Sequence, residues 1–359
     1  TLNADLDYNG KGTNSLTFDA ANDIVINNKI FDSVLGGDVL NLSLLAGGNI
    51  SLNNDISLGT GSTATLTASG GSISRTAGTI SAGALTLTAG GTNGSIGASG
   101  AIQTSVDSIV FSAKGTGAVN IVDADAVNVS GTAGSGNVGI TTTTSDLGVV
   151  GSGIVTAGGA VTLGANGGGA RINIGAGVAV DTTNGAATGA DVSLVADNAD
   201  ILGTIKAGTG GVATIRQATA GRAIALGGDL PINLGVSDAE LDNITANTIV
   251  IGDANSGAIT IVGAISPASA SKLALNSGST ITQTAGSTIT VGTLTGSSVG
   301  ATTLGEANQI GNLGNFNAAS FSLTNAAALT LVGDVTTSAA QTYNTALVLG
   351  GDRVLSGSD

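Results

Sequence analysis

Apolar anchors recur early in this chain at a spacing that stacked coils explain. Phe18, Leu42, Leu66, Leu87 and Phe111 form one series, at intervals of about 21–24 residues. Ile26, Ile50, Ile73 and Ile96 form a second, and Ile30, Ile56, Ile80 and Ile102 a third. The chain visits the three in rotation. Around most anchors residues alternate, as in Ala84-Leu-Thr-Leu-Thr-Ala89, where Leu85 and Leu87 share one face and Thr86 and Thr88 the other. Period-two alternation marks a short strand, and clusters of Gly, Ser, Asn or Thr interrupt it. Three short strands per turn of about 24 residues, each turn stacked on the one before, predict an all-β fold, a parallel β-helix or β-solenoid. Strand–crossover–parallel-strand connections are almost always right-handed, so a right-handed coil is expected.

The repeat is clearest over residues 1–130, weakens into irregular Gly/Ala-rich turns over 131–228, and returns over 229–359. There Ile251, Leu275, Val299, Leu323 and Leu347 again fall at about 24-residue intervals. One elongated solenoid over 1–359 follows, with a core ladder of Phe18, Leu42, Leu66, Leu87, Phe111, Ile251, Leu275, Leu323 and Leu347. Ile281-Thr-Gln-Thr-Ala-Gly-Ser-Thr-Ile289 echoes Ile73-Ser-Arg-Thr-Ala-Gly-Thr-Ile80 with one residue inserted. Gly36-Gly37, Gly47-Gly48, Gly70-Gly71 and Gly90-Gly91 fall between strands, and 181–190 reads as a loop inserted between turns.

A solenoid core is a thin column, so it can do with 2% aromatic residues, fewer than a globular core of this length would draw on. The aromatics flank the weak region: Tyr8, Phe18, Phe31 and Phe111 before it, Phe316, Phe321 and Tyr343 after. They are read as fillers of wider turns, or as help for subunits meeting end to end. The chain has no Cys, Met, Trp or His. Disulfides and Cys/His zinc sites are thereby excluded, and the lack of Met marks a processed or excerpted part of a longer precursor. A net charge of −14 with scattered Lys and Arg disfavours nucleic acid. No apolar run is long enough for a membrane span.

Few residues suggest chemistry. Asp123 and Asp125, placed on one side of a strand or turn, could be bridged by Ca²⁺, against the alternative of a solvated turn. Ser237-Asp-Ala-Glu-Leu-Asp242 holds three carboxylates, but Ser237 followed by Glu240 is a capping box, so a short helical turn is expected. Asp197, Asp200, Lys206, Arg216 and Arg222 would have to converge in the fold to serve polysaccharide cleavage. Without His, no Ser or Thr has the usual base. Thr65/Thr67, Thr86/Thr88 and Thr288/Thr290 could form a flat ladder like an ice-binding face, but they recur unevenly. No catalytic residue and no cofactor is therefore assigned.

Leu226-Gly-Gly-Asp, Ser237-Asp-Ala-Glu-Leu-Asp-Asn-Ile-Thr-Ala246, Ile249-Val-Ile-Gly-Asp-Ala-Asn-Ser-Gly-Ala-Ile-Thr-Ile261 and the Gly78-Thr-Ile-Ser-Ala-Gly-Ala-Leu-Thr-Leu87 turn resemble the repeats of filamentous haemagglutinin-like exoproteins. The resemblance implies a bacterial adhesin with a right-handed β-helical shaft, exported by two-partner secretion through an outer-membrane transporter. The Asn-Pro-Asn-type secretion motif is missing, the only prolines being Pro231 and Pro267, so this piece corresponds to shaft. The expected protein is an extracellular, cell-surface structural subunit that self-associates end to end into a filament. The alternatives are a rod face that contacts cell-surface glycans or proteins, and a polysaccharide-degrading β-helix enzyme.

Overall fold

An alternating strand buries its inward row only if something covers it, and here the cover is the next copy of the same strand. The computed structural model describes residues 1–34, 37–186 and 188–358; Gly36 of the first Gly pair and Ala187 of the expected 181–190 loop lie outside them. The described residues are nearly all β, with parallel strands stacked into a β-solenoid of about 16 coils averaging ~22 residues. At about 4.8 Å per step the stack is on the order of 75 Å long.

One coil shows the plan. Val39–Ala46, Ile50–Leu52 and Ile56–Ser57 follow one another around the axis. Each lies in parallel register on its counterpart one coil on: Leu44 on Leu66, Ile50 on Ile73, Ile56 on Ile80. Within Val39–Ala46, Leu40, Leu42, Leu44 and Ala46 are buried, while Val39, Asn41, Ser43 and Leu45 are half-buried on the outer face.

A single inward stripe can be followed through almost the whole stack. Ile24, Ile50, Ile73, Ile96 and Val119 lie one on another. Val138, Val161, Val192 and Ala213 continue the stripe. Ile249, Leu273, Leu294, Leu313, Leu331 and Leu349 complete it. Two residues before the anchor, a second stack runs beside it through Gly48, Gly71, Gly94, Gly117, Gly136 and Gly159. At this corner backbones of successive coils approach so closely that a Cβ on Gly94, Gly117, Gly136 or Gly159 would sit 2.0–2.7 Å from the carbonyl oxygen of the glycine beneath. The pattern Gly-x-Ile/Val is thus a steric requirement of the stack.

The stripe also passes through the stretch that reads as irregular, because the runs that carry it stay in register while register shifts elsewhere, between Val129 and Gly131 and between Lys206 and Val212, take up extra residues. Steps along it range from about 18 residues, Leu313 to Leu331, to about 36, Ala213 to Ile249. The longest step lies partly inside the stretch expected to repeat cleanly from 229. There Ile224–Leu226 pairs with Ile259–Ile261 on one side and with Leu234–Val236 on the other, so the chain adds an extra parallel strand before it moves on.

Coil length also corrects the expected core ladder. Leu66, Leu87 and Phe111 do stack, but Phe18 stands over Leu44, and Leu42 lies between Leu16 and Ala64. Leu42 is on the inward face, one same-facing step away. Likewise Ile24 rather than Ile26 meets Ile50, and Ile80 meets Thr104, whereas Ile102 meets Ile121. Ile251 and Leu275 share one stripe, which then runs to Gly296, Phe316 and Val335. Val299 is 72% exposed, Leu323 stacks between Leu304 and Tyr343, and Leu347 stacks on Leu329. Coils of about 18–21 residues make a 24-residue stride drift from stripe to stripe.

Candidate functional site

Asp123 and Asp125 occupy opposite sides of the wall. Val119, Ile121 and Asp123 alternate inward, so the Asp123 side chain is shut from solvent while Asp125 is exposed. Asp123 lies in register between Thr104 and Thr142. Its carboxylate accepts the Thr104 hydroxyl at 2.6 Å, the Val106 N–H at 3.2 Å and the Asp125 N–H at 2.9 Å. Burial pushes its pKa up, against these donors. Asp125 accepts from Ser105 instead. The two carboxylates do not converge on one point, as a bridging Ca²⁺ would require. Among the described residues no group of three or more acidic side chains is placed to hold a metal ion.

The five charged residues from Asp197 to Arg222 separate into distinct ion pairs. Arg171 takes Asp200 at 2.5 Å, Lys206 takes Asp181 at 3.4 Å, and Arg216 takes Asp253 at 3.5 Å. Arg222 lies 3.8 Å from Asp197, which is 1% exposed. Asp197 also accepts from the Gly169 N–H and from both the N–H and the hydroxyl of Thr219. Burial works against its charge, yet the Gly169 and Thr219 donors and Arg222 outweigh it and hold the pKa below the ordinary range. Burial likewise opposes the Asp181 charge, and Thr183 with Lys206 brings its pKa down. These groups tie one coil to another rather than gathering around a reaction centre.

Carboxylates carry much of the corner chemistry. Where the chain turns, backbone N–H groups miss the strand ladder, and an acidic side chain about one coil away accepts from them. Lys29 N–H donates to Asp5, Thr79 to Asp55, Arg171 to Asp146, Val212 to Asp191 and Ser266 to Asp238, at 2.6–3.1 Å. A charged acceptor is stronger than a carbonyl at such a place. The excess of Asp over Lys and Arg therefore has a structural use.

Ser237–Asp242 forms the expected capped turn, a helix over Asp238–Asp242 with both arms of the capping box made. Its Glu240 does more than cap. Oε1 accepts the Ile201 N–H at 2.9 Å, and Asn243 Nδ2 donates to the Ile201 carbonyl at 2.8 Å. The two side chains thus satisfy the end of the Asn198–Ile201 strand.

A buried amide ladder carries no signal in an apolar-periodicity reading. Asn308 is fully buried and in register with Asn325. Its oxygen accepts from Ile289 N–H and Gln283 Nε2 at 2.8 Å, and its Nδ2 donates to the Glu306 and Thr324 carbonyls. Asn325 does the same for Ile310, accepting from its N–H and donating to its carbonyl at 2.9 Å. Gln283 also donates to the Ser287 carbonyl, as Arg75 donates to Gly78 in the echoed coil. The threonine pairs stack for one step only, Thr65 on Thr86 and Thr67 on Thr88; the next coil presents Val110 and Ser112.

A polar cleft of about 290 Å³ lies on the outer wall over Gly148, between Asn128 and Asn173, with Asp146 and Arg171 beside it. Comparison with protein-family models, curated proteins and solved structures finds no match to this chain.

Proposed function

We propose that this chain is a structural shaft segment of an extracellular bacterial filament or adhesin, of the filamentous haemagglutinin-like kind, and that it works mechanically rather than catalytically. The observation that carries the reading is the inward stripe from Ile24 to Leu349, which keeps register through every change of coil length. The ion pairs and corner carboxylates support it, since they are spent between coils. In a shaft each coil is held by two neighbours, so stiffness accumulates along the axis. Among the described residues the strands Leu347–Leu349 and Leu355–Ser356 pair on one side only, with Leu349 69% and Leu355 42% exposed. In this reading a further β-strand adds to that edge.

Electron microscopy of the purified chain, with and without Ca²⁺ chelation, tests the proposal. Straight rods or periodic filaments that survive chelation are expected. Rounded particles, or activity on polyuronides abolished by Asp197→Asn or Asp200→Asn, would overturn it. Surface labelling of the producing cells with an antibody to the chain tests the location.

A further inference from the structure

Alternation along the strands leaves two outward columns on the wall around Gly148. Asn128, Gly148, Asn173 and Asp200 stack in one, and Asp146, Arg171 and Asn198 stand beside them in the other. Three of the four positions in the first column carry a polar side chain, and the fourth carries none. The missing side chain leaves a cleft of about 290 Å³ lined by Asn128 and Asn173, with the Asn128 side-chain oxygen reaching over Gly148. Gly148 does not need to be glycine for its backbone, because its φ is not positive. A Cβ there would meet nothing closer than the Asn128 side-chain oxygen, at 2.3 Å, the movable end of a flexible group. In this it differs from the glycines of the corner stack, where the obstruction is a backbone carbonyl.

The groups around the gap are not used up by the fold. Among the described residues the Asn128 and Asn173 amides have no hydrogen-bond partner, and both are exposed. Asp146 commits one oxygen to the Arg171 N–H at 2.8 Å, and Arg171 commits one terminal nitrogen to Asp200. Two amides, a carboxylate oxygen and the rest of a guanidinium remain, which together supply both donors and acceptors. A hydroxyl both donates and accepts, so adjacent hydroxyls match such a set, whereas a phosphate or carboxylate would meet Asp146 and Asp200 as like charges.

We propose that this cleft binds one residue of a neutral sugar through vicinal hydroxyls, with Asn128, Asn173, Asp146 and Arg171 as the contacting side chains. The proposal goes beyond the shaft reading and does not depend on it. An open, single-residue site of this kind without an aromatic platform holds its ligand weakly, with a Kd on the order of 1–10 mM.

The experiment uses the whole chain and three probes: glucose, galactose and mannose, with glucuronic acid as the anionic comparison. Saturation-transfer NMR and the side-chain amide resonances of Asn128 and Asn173 report binding. At least one neutral hexose is expected to transfer saturation and shift both amides, with glucuronic acid binding at least several-fold more weakly. Gly148→Thr fills the gap with a residue suited to a strand, and is expected to abolish the signal while the melting temperature stays unchanged. Asn173→Ala is a second variant on an exposed side chain, expected to weaken binding about tenfold with no effect on folding. Absence of any shift with all three hexoses, tighter binding of glucuronic acid, or an undiminished signal in folded Gly148→Thr would overturn the proposal. None of those results alters the rods seen by microscopy, so the cleft and the shaft can fail separately.

Discussion

Phe111 and Gly131 are a matched pair across adjacent coils. They lie in register, and a Cβ on Gly131 would come within 2.6 Å of the Phe111 ring and 2.3 Å of its carbonyl oxygen. Phe316 has a similar relation to Gly296, whose Cβ would sit 3.0 Å from the ring. On this side each ring faces a residue with no side chain, while on the other side Phe111 stacks on Leu87 and Phe316 on Val335. Gly131→Ala is therefore expected to cost about 1–3 kcal/mol by overpacking. Combined with Phe111→Leu, the loss should be smaller than the sum of the two single changes, as read from urea midpoints. Strict additivity would show that the ring is not what excludes the methyl group.

The corner glycines make a harsher demand. At Gly117 the obstruction is the Gly94 carbonyl oxygen, which would lie 2.0 Å from an added Cβ, and backbone cannot swing aside. Gly117→Ala should cost at least as much as Gly131→Ala, and more than Gly305→Ala, where a Cβ meets nothing within 4 Å. Equal melting temperatures for Gly117→Ala and Gly305→Ala would count against the close approach.

Replacing Asn308 by Leu keeps the volume but removes every hydrogen bond of a fully buried amide, including the acceptor for Ile289 N–H. Orphaning these groups is expected to cost about 2–4 kcal/mol. Hydrogen exchange should quicken first at Ile289 and at the other amides of coils 283–325. A variant as stable as the wild type would mean that the ladder contributes nothing net.

Two carboxylates should respond to acid in opposite directions. The folded pKa of Asp197 lies below its unfolded value, so its contribution is fully present above about pH 3.9 and is lost as pH falls through the folded value. The stability gap between the wild type and Asp197→Asn should therefore narrow below about pH 3.9. Burial raises the Asp123 pKa, so the wild type should instead gain relative to Asp123→Asn as pH falls through that raised value toward about 3.9. Chemical denaturation of both variants at several pH values reads each slope, and a shared sign would refute the assignment.

Leu66 sits fully buried between Leu44 and Leu87. Leu66→Asp leaves an unpaired charge inside the stack and is expected to cost on the order of 4 kcal/mol. Unchanged melting would show that this stripe is not the core.

Much of this is legible in the residues themselves. The faces of Ala84–Ala89, the stacking of Leu66, Leu87 and Phe111, the echo of 73–80 in 281–289 and the Ser237–Glu240 capping box are local patterns, and the structure reproduces each. Leu42 falls one step off the expected ladder because Leu40, Leu42 and Leu44 all point inward, and alternation alone cannot say which of them meets Leu66. Asp123 reads as a surface acid because its neighbours give no sign that Thr104, a coil away, has a hydroxyl waiting inside the wall. The cleft over Gly148 depends on three coils at once, and its residues are far apart in the chain.

Strand faces and the stacked-coil architecture were determined by the sequence alone, since period-two alternation acts over a few residues and recurs with each turn. Only the tertiary structure decided the register between coils, the inward placement of Asp123 and Asn308, and the separation of the charged residues into pairs. Those outcomes depend on how much chain each corner releases, and on which volumes and hydrogen-bonding groups then face one another about 4.8 Å apart.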